Sequence, residues 1–122
     1  PPITTGSSHY ALDLAKELNC EWANFYCATA YPGSRLYIHA INNNLPLPDS
    51  WEKFAQHHYE FMPLPTKHIS AEDVLRFRDD AFMEYFTNPR FLDMIEEKFG
   101  KETLEHVQEM TKIKLKRKIL GE

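Results

Sequence analysis

The sequence predicts a mainly α (α+β) fold: an N-terminal helix, one orphan strand, and about five helices after it. Three observations carry this reading. Apolar residues recur at helical spacing over most of the chain. A nearly unbroken apolar run, Trp22 to Ala30, has strand length and reads as a strand buried on both faces. No second run of that kind accompanies it, so the strand has no partner in this sequence.

The elements follow in order. Pro1 to Ser8 lacks periodicity and reads as a linker or a cloning remnant, with Ser7 or Ser8 available as a cap. From His9 to Leu18, the residues Ala11, Leu14, Ala15 and Leu18 fall on one helical face, and Asn19 suits the C-terminal end. After the strand, Pro32-Gly33 makes a corner and Ser34 caps a short helix over 35–41. Leu45-Pro46-Leu47-Pro48 cannot be helical. Asp49 with Glu52 resembles a capping box that opens a helix from Ser50 to about Tyr59, with Trp51, Phe54, Ala55, His58 and Tyr59 inward. Met62 to Thr66 is a stiff, extended, proline-bound connector.

Ser70 and Asp73 pair as a second capping box, starting a helix that runs to about Thr87. Its inward set is Val74, Phe77, Ala81, Phe82, Tyr85 and Phe86. Asn88-Pro89 restarts the helix, and Phe91, Leu92, Ile95 and Phe99 repeat until Gly100. The last helix is expected from Glu102 to Leu120, with Leu104, Val107, Met110 and Ile113 inward and a basic, solvated end at 112–118.

Composition bounds the function. With 14 basic and 18 acidic residues the net charge is −4, which argues against a nucleic-acid partner. Hydrophobic residues make up 43% and charged residues 26%, an ordinary globular balance in which disorder is not the default. No segment approaches a membrane span, and Cys20 and Cys27 read as structural thiols of a cytoplasmic protein. The cluster Gln56-His57-His58-Tyr59-Glu60 lacks the His-Glu-x-x-His pattern and a third ligand, so no metal site is assigned. Arg76, Arg78, Asp79, Asp80 and Glu84 read as exposed helix pairs, and Phe77, Phe82, Tyr85, Phe86 and Phe91 as core. No phosphate loop, nucleophile elbow or catalytic triad is present, so no catalytic residue is nominated.

Several strings do resemble a family. Leu12 to Asn19, Trp22 to Tyr26, Ala30-Tyr31-Pro32-Gly33-Ser34, Leu36-Tyr37, Gln56-His57, Tyr59-Glu60, Pro63-Leu64-Pro65-Thr66, Val74 to Asp79, Tyr85-Phe86 and Asn88-Pro89 together look like the closing part of cobalamin-binding radical SAM proteins. The likeness runs from about Leu12 to Leu120. It implies that the chain is the C-terminal portion of an iron–sulfur oxidoreductase or cobalamin-dependent methyltransferase, inactive alone. Residues 9–41 would then be the last αβ unit of a partial barrel with the helix after it, and 42–122 a helical extension. The orphan strand becomes a barrel stave, and the remainder of the polypeptide becomes the partner.

The parent would hold a [4Fe–4S] cluster, S-adenosylmethionine and cobalamin. This segment would hold none of them, because the family's Cys-x₃-Cys-x₂-Cys loop is absent here. The resemblance places Thr29, Ala30, Tyr31, Pro32 and Gly33 at the mouth of the barrel, as an edge of the S-adenosylmethionine or substrate site. An excised strand would also favour self-association through its edge. A free-standing helical interaction module is the alternative reading.

Overall fold

A computed structural model describes residues 5–122. Among the described residues five α-helices form: α1 (Thr5–Leu18), α2 (Arg35–Asn42), α3 (Ala71–Phe86), α4 (Pro89–Phe99) and α5 (Lys101–Met110), with single 3-10 turns at Trp51–Phe54 and Lys118–Leu120. Residues 1–4 of the expected linker lie outside the described residues. Helix α1 begins at Thr5 rather than after a Ser7 or Ser8 cap.

Local signals explain where α3 and α4 start. The Ser70 hydroxyl accepts a hydrogen bond from the Asp73 amide at 3.1 Å, satisfying a free N–H of the first turn. Asn88 precedes Pro89 at the first position of α4, where a missing N–H costs nothing. Gly100, at φ +90°, turns the chain directly from α4 into α5, a backbone state that side chains with a Cβ resist. Tyr85, Phe86, Phe91, Ile95 and Val107 bury themselves at this α3–α4–α5 junction. Edge-on ring contacts, such as Phe86 against Phe91 at 5.2 Å, add to the burial. Tyr85 and Phe86 of α3 are core, as their spacing predicts, with Phe82 partly buried against them, whereas Phe77 is half-buried and meets the His9 ring edge-on.

The orphan strand is the main correction. Among the described residues there is no strand and no sheet, so the barrel-type strand expected at Trp22–Ala30 does not exist. The run is extended but unpaired. Its side chains alternate: Ala23, Phe25, Cys27 and Thr29 turn inward, while Trp22, Asn24, Tyr26 and Ala28 face solvent. Trp22 and Tyr26 are 53% and 66% exposed, which rules out a strand buried on both faces. The neighbouring extended segment is the connector 62–65. It makes one backbone bond to the run, Leu64 N–H to the Ala28 carbonyl at 3.0 Å. Pro63 and Pro65 on either side have no N–H to give, so a ladder cannot propagate.

Two helices are shorter than expected. The helix predicted from Ser50 to Tyr59 stops after one 3-10 turn, and the one predicted to reach Leu120 stops at Met110. Beyond Thr111 the chain doubles back and inserts Arg117, which is fully buried rather than part of a solvated basic face. Its guanidinium donates to both oxygens of Asp79 (Nε to Oδ2 and Nη2 to Oδ1, each 2.9 Å) and to the carbonyls of Gln56 (2.7 Å) and His58 (3.2 Å). A helix over 50–59 would leave both of these carbonyls free, because its last four carbonyls have no partner in their own ladder. The buried arginine supplies a donor to each.

Helix α1 is also rotated from its expected phase. Leu12 is buried and Ala15 packs on the core, while Leu14 and Leu18 of the predicted inner face are 41% and 65% exposed. Polar fastenings set this phase. Lys16 pairs with Glu84 at 2.9 Å, and Arg90 caps the helix end by donating to the Lys16 and Glu17 carbonyls.

The Arg117–Asp79 pair is a bidentate, charge-assisted contact, and removing one buried partner strands the other. Arg117→Ala should lower the unfolding free energy by about 3 kcal/mol in urea titrations followed by circular dichroism. Arg117→Lys should recover only part of this, since an ammonium cannot bind both carboxylate oxygens in a fork. A loss below about 1 kcal/mol for both variants would show that the chain closes without this pair.

Candidate functional site

The predicted corner, Thr29 to Gly33, forms a tight turn that ends the extended run and launches α2. The Tyr31 carbonyl accepts bonds from the Ser34 amide (3.1 Å) and hydroxyl (2.6 Å). The Ser34 oxygen then accepts from the Tyr37 amide at 3.1 Å, capping α2 as predicted. Gly33 sits at φ +87°. Thr29 and Ala30 face inward, whereas Tyr31, Pro32 and Gly33 lie at the surface, with the Tyr31 ring 6.2 Å from that of Phe54.

Gln56 connects this corner to the rest of the protein. Its side-chain amide grips the backbone of Cys27 from both sides: the Cys27 N–H donates to Oε1 and Nε2 donates to the Cys27 carbonyl, each at 3.0 Å. Nε2 also reaches the Thr29 hydroxyl at 3.1 Å and the Tyr31 hydroxyl at 3.4 Å. One glutamine thus replaces the neighbouring strand that this backbone lacks. Arg78 continues the pattern, donating from Nε to the Phe25 carbonyl at 2.8 Å, and the Tyr85 hydroxyl donates to the Cys20 carbonyl.

Around Arg78 the chain assembles a polar cluster that sequence reasoning missed. Arg78 Nη1 donates to Asp79 Oδ1 at 3.0 Å, and Nη2 lies 3.1 Å from His57 Nε2. A guanidinium only donates, so His57 Nε2 must accept and the ring is neutral with its proton on Nδ1. Burial, and then the positive charges of Arg78 and Arg117, hold the His57 pKa below its usual value, consistent with that assignment. Exposed pairs are expected among Arg76, Arg78, Asp79, Asp80 and Glu84; of these, Arg76 does form one, with Asp73 at 2.9 Å. Arg78 and Asp79 lie on the other side of α3, and the signal that could have separated them is their place between Leu75 and Phe82 on the inward stripe.

His58 is half-buried, and His57 keeps an exposed side while its Nε2 meets Arg78. Glu60 pairs with Lys53 and Lys118, and these hydrogen bonds hold its carboxyl down to about 2. Among the described residues, no group of three or more His, Cys, Asp or Glu residues is arranged to hold a metal ion. Cys20 is exposed and Cys27 buried. Two thiols so placed do not fit an iron–sulfur cluster. No described helix is long and apolar enough to cross a membrane.

Desolvation pushes the Cys27 thiol up to about 11, against 9.0 for a free thiol, with Arg78 opposing the shift. The folded form therefore holds the proton more tightly, and this contribution to stability is present below pH 9.0 and lost as pH rises toward about 11. At neutral pH a disulfide reagent should modify Cys20 at once and Cys27 only through opening of the fold. Gln56→Ala leaves the Cys27 N–H unpaired and its carbonyl held by the Thr29 hydroxyl alone, and should cost about 1 to 3 kcal/mol, with faster Cys27 labelling by a similar energetic factor. Unchanged Cys27 labelling in that variant would mean that the glutamine does not hold the run in place.

No family model matches the chain, and no solved structure matches it. One relative stands out: a protein of Pyrococcus horikoshii described as an uncharacterized methyltransferase is 31% identical over 93 residues. The match takes in 75% of this chain and 19% of the relative, so the chain spans about a fifth of the length of the protein it resembles. That similarity ties the chain to a methyltransferase-related protein.

Proposed function

We propose that this chain is a helical closing segment of a larger radical SAM enzyme of the cobalamin-dependent methyltransferase or iron–sulfur oxidoreductase type, inactive by itself. The observation that carries the reading is the match of most of this chain to a fifth of a methyltransferase. The surface supports it. Tyr10, Leu14 and Leu18 make an apolar stripe along α1, and Ile38 and Ile41 are neighbours on α2; all are more than 40% exposed. Exposed apolar residues side by side on two helices suit a segment whose faces another part of the same polypeptide covers.

In this reading the chain binds neither the [4Fe–4S] cluster nor cobalamin, and the catalytic residues belong to the rest of the enzyme. Tyr31, Pro32 and Gly33 form one edge of the S-adenosylmethionine or substrate site, with Thr29 and Ala30 buried behind them as support. Their contribution is ring contact and close backbone approach, which Gly33 permits because no atom lies within 4 Å of where its Cβ would be.

Two measurements test the proposal separately. The full-length protein, purified without oxygen, should carry an upstream three-cysteine loop and a [4Fe–4S] cluster, measured as iron and acid-labile sulfide; absence of both would overturn the enzyme class. Within that protein, Tyr31→Ala and Gly33→Val should each weaken S-adenosylmethionine binding about ten-fold in equilibrium dialysis. Unchanged binding and turnover would remove the corner from the site while leaving the enzyme class intact.

A further inference from the structure

A groove separate from the Tyr31 corner opens between α3 and the returning C-terminal segment. Its volume is about 510 Å³, within the range of small-molecule sites. Trp22, Phe82, Met83, Met110, Ile113 and Leu115 give it a mostly apolar wall. His57, Arg78 and Asp79 form its polar end, and Asp80 and Lys114 also line it.

The charge arrangement at that end is unbalanced. Two buried guanidiniums, Arg78 and Arg117, share one carboxylate, that of Asp79. Arg117 holds both Asp79 oxygens, whereas Arg78 has a single bond to Oδ1. Arg78 is 7% exposed, so water does little to compensate it, and its remaining contacts are neutral: a carbonyl, the unprotonated nitrogen of His57 and the face of Phe82 at 5.3 Å. A buried cation with half a counter-ion at the end of an apolar groove is complementary to an anion that carries an apolar body.

We propose that this groove binds a small amphipathic carboxylate, its head at Arg78 and its apolar part along Trp22, Met110 and Ile113. A monoanion fits better than a phosphate. The uncompensated buried charge is that of one guanidinium, and Asp79 and Asp80 would both oppose a second negative charge, while Lys114, the other lining cation, is mostly solvated and pairs with Glu122. The assignment rests on this groove alone and does not depend on the enzyme class of the parent.

Decanoate, decanol and decyl phosphate serve as probes of the 122-residue chain, read by Trp22 fluorescence in a Trp51→Phe background. Trp51 is 78% exposed and outside the groove, so its loss leaves the site intact. Decanoate should bind saturably, with decanol about ten-fold weaker for want of a charge-assisted bond. Arg78→Gln should abolish that preference. If Arg78→Gln fails to fold, Asp80→Asn decides the matter. Asp80 is exposed with no ion pair among the described residues, and its neutralisation should tighten decanoate about two-fold and leave decanol unchanged. Equal affinity for decanoate and decanol, tighter binding of decyl phosphate, or an Asp80→Asn variant indistinguishable from the parent chain would each overturn the proposal.

Discussion

An extended backbone buried without a sheet must find its hydrogen-bond partners elsewhere, and the rest of this structure depends on how that is done. The run from Cys20 to Ala30 is held by three side chains from two parts of the chain: Gln56 on Cys27 from the loop after Phe54, and Arg78 on Phe25 and Tyr85 on Cys20 from α3. These same residues fix their own surroundings. Gln56 sits in a loop whose carbonyl is claimed by Arg117, Arg78 reaches the groove, and Tyr85 is the centre of the aromatic core. The helices are therefore arranged around a strand-like segment that makes no strand.

This arrangement explains which features were legible in the sequence. The Ser70 cap, Pro89 at the first turn and helical spacing located α3 and α4 closely, because they and the Phe and Tyr stripe act through neighbours a few residues away. The extended run was recognised as extended but misjudged as a strand. Its inward residues do alternate, yet Trp22, Tyr26 and Ala28 on the outer side are also apolar and mask the period. Nothing local reveals that Gln56, 29 positions away, supplies the missing ladder bonds.

Arg117 shows the same limit from the other direction. Within Lys112 to Lys118 it is one basic residue among several, and sequence alone assigns the group to solvent. Only the distant pair of Asp79 and the freed carbonyls of Gln56 and His58 make it the most buried long side chain of the segment. The candidate corner was legible as a turn, since Pro32, Gly33 and Ser34 encode it directly. The groove was not, because its walls come from residues 22, 57, 78–83 and 110–115, which meet only after the chain has closed.

The prolines at 63 and 65 carry a consequence for the life of the chain outside its fold. Apolar extended segments that stay unpaired are templates on which other copies can add strand by strand. Here the neighbour lying alongside the run offers a single N–H, that of Leu64, between two residues that have none. Those prolines keep the connector from acting as a continuous cross-β partner in a partly opened molecule. The side-chain clamps on the run close a second route, since Gln56 already occupies both groups of Cys27. The sequence is thus protected against its own most aggregation-prone stretch by the same contacts that keep that stretch from becoming a sheet.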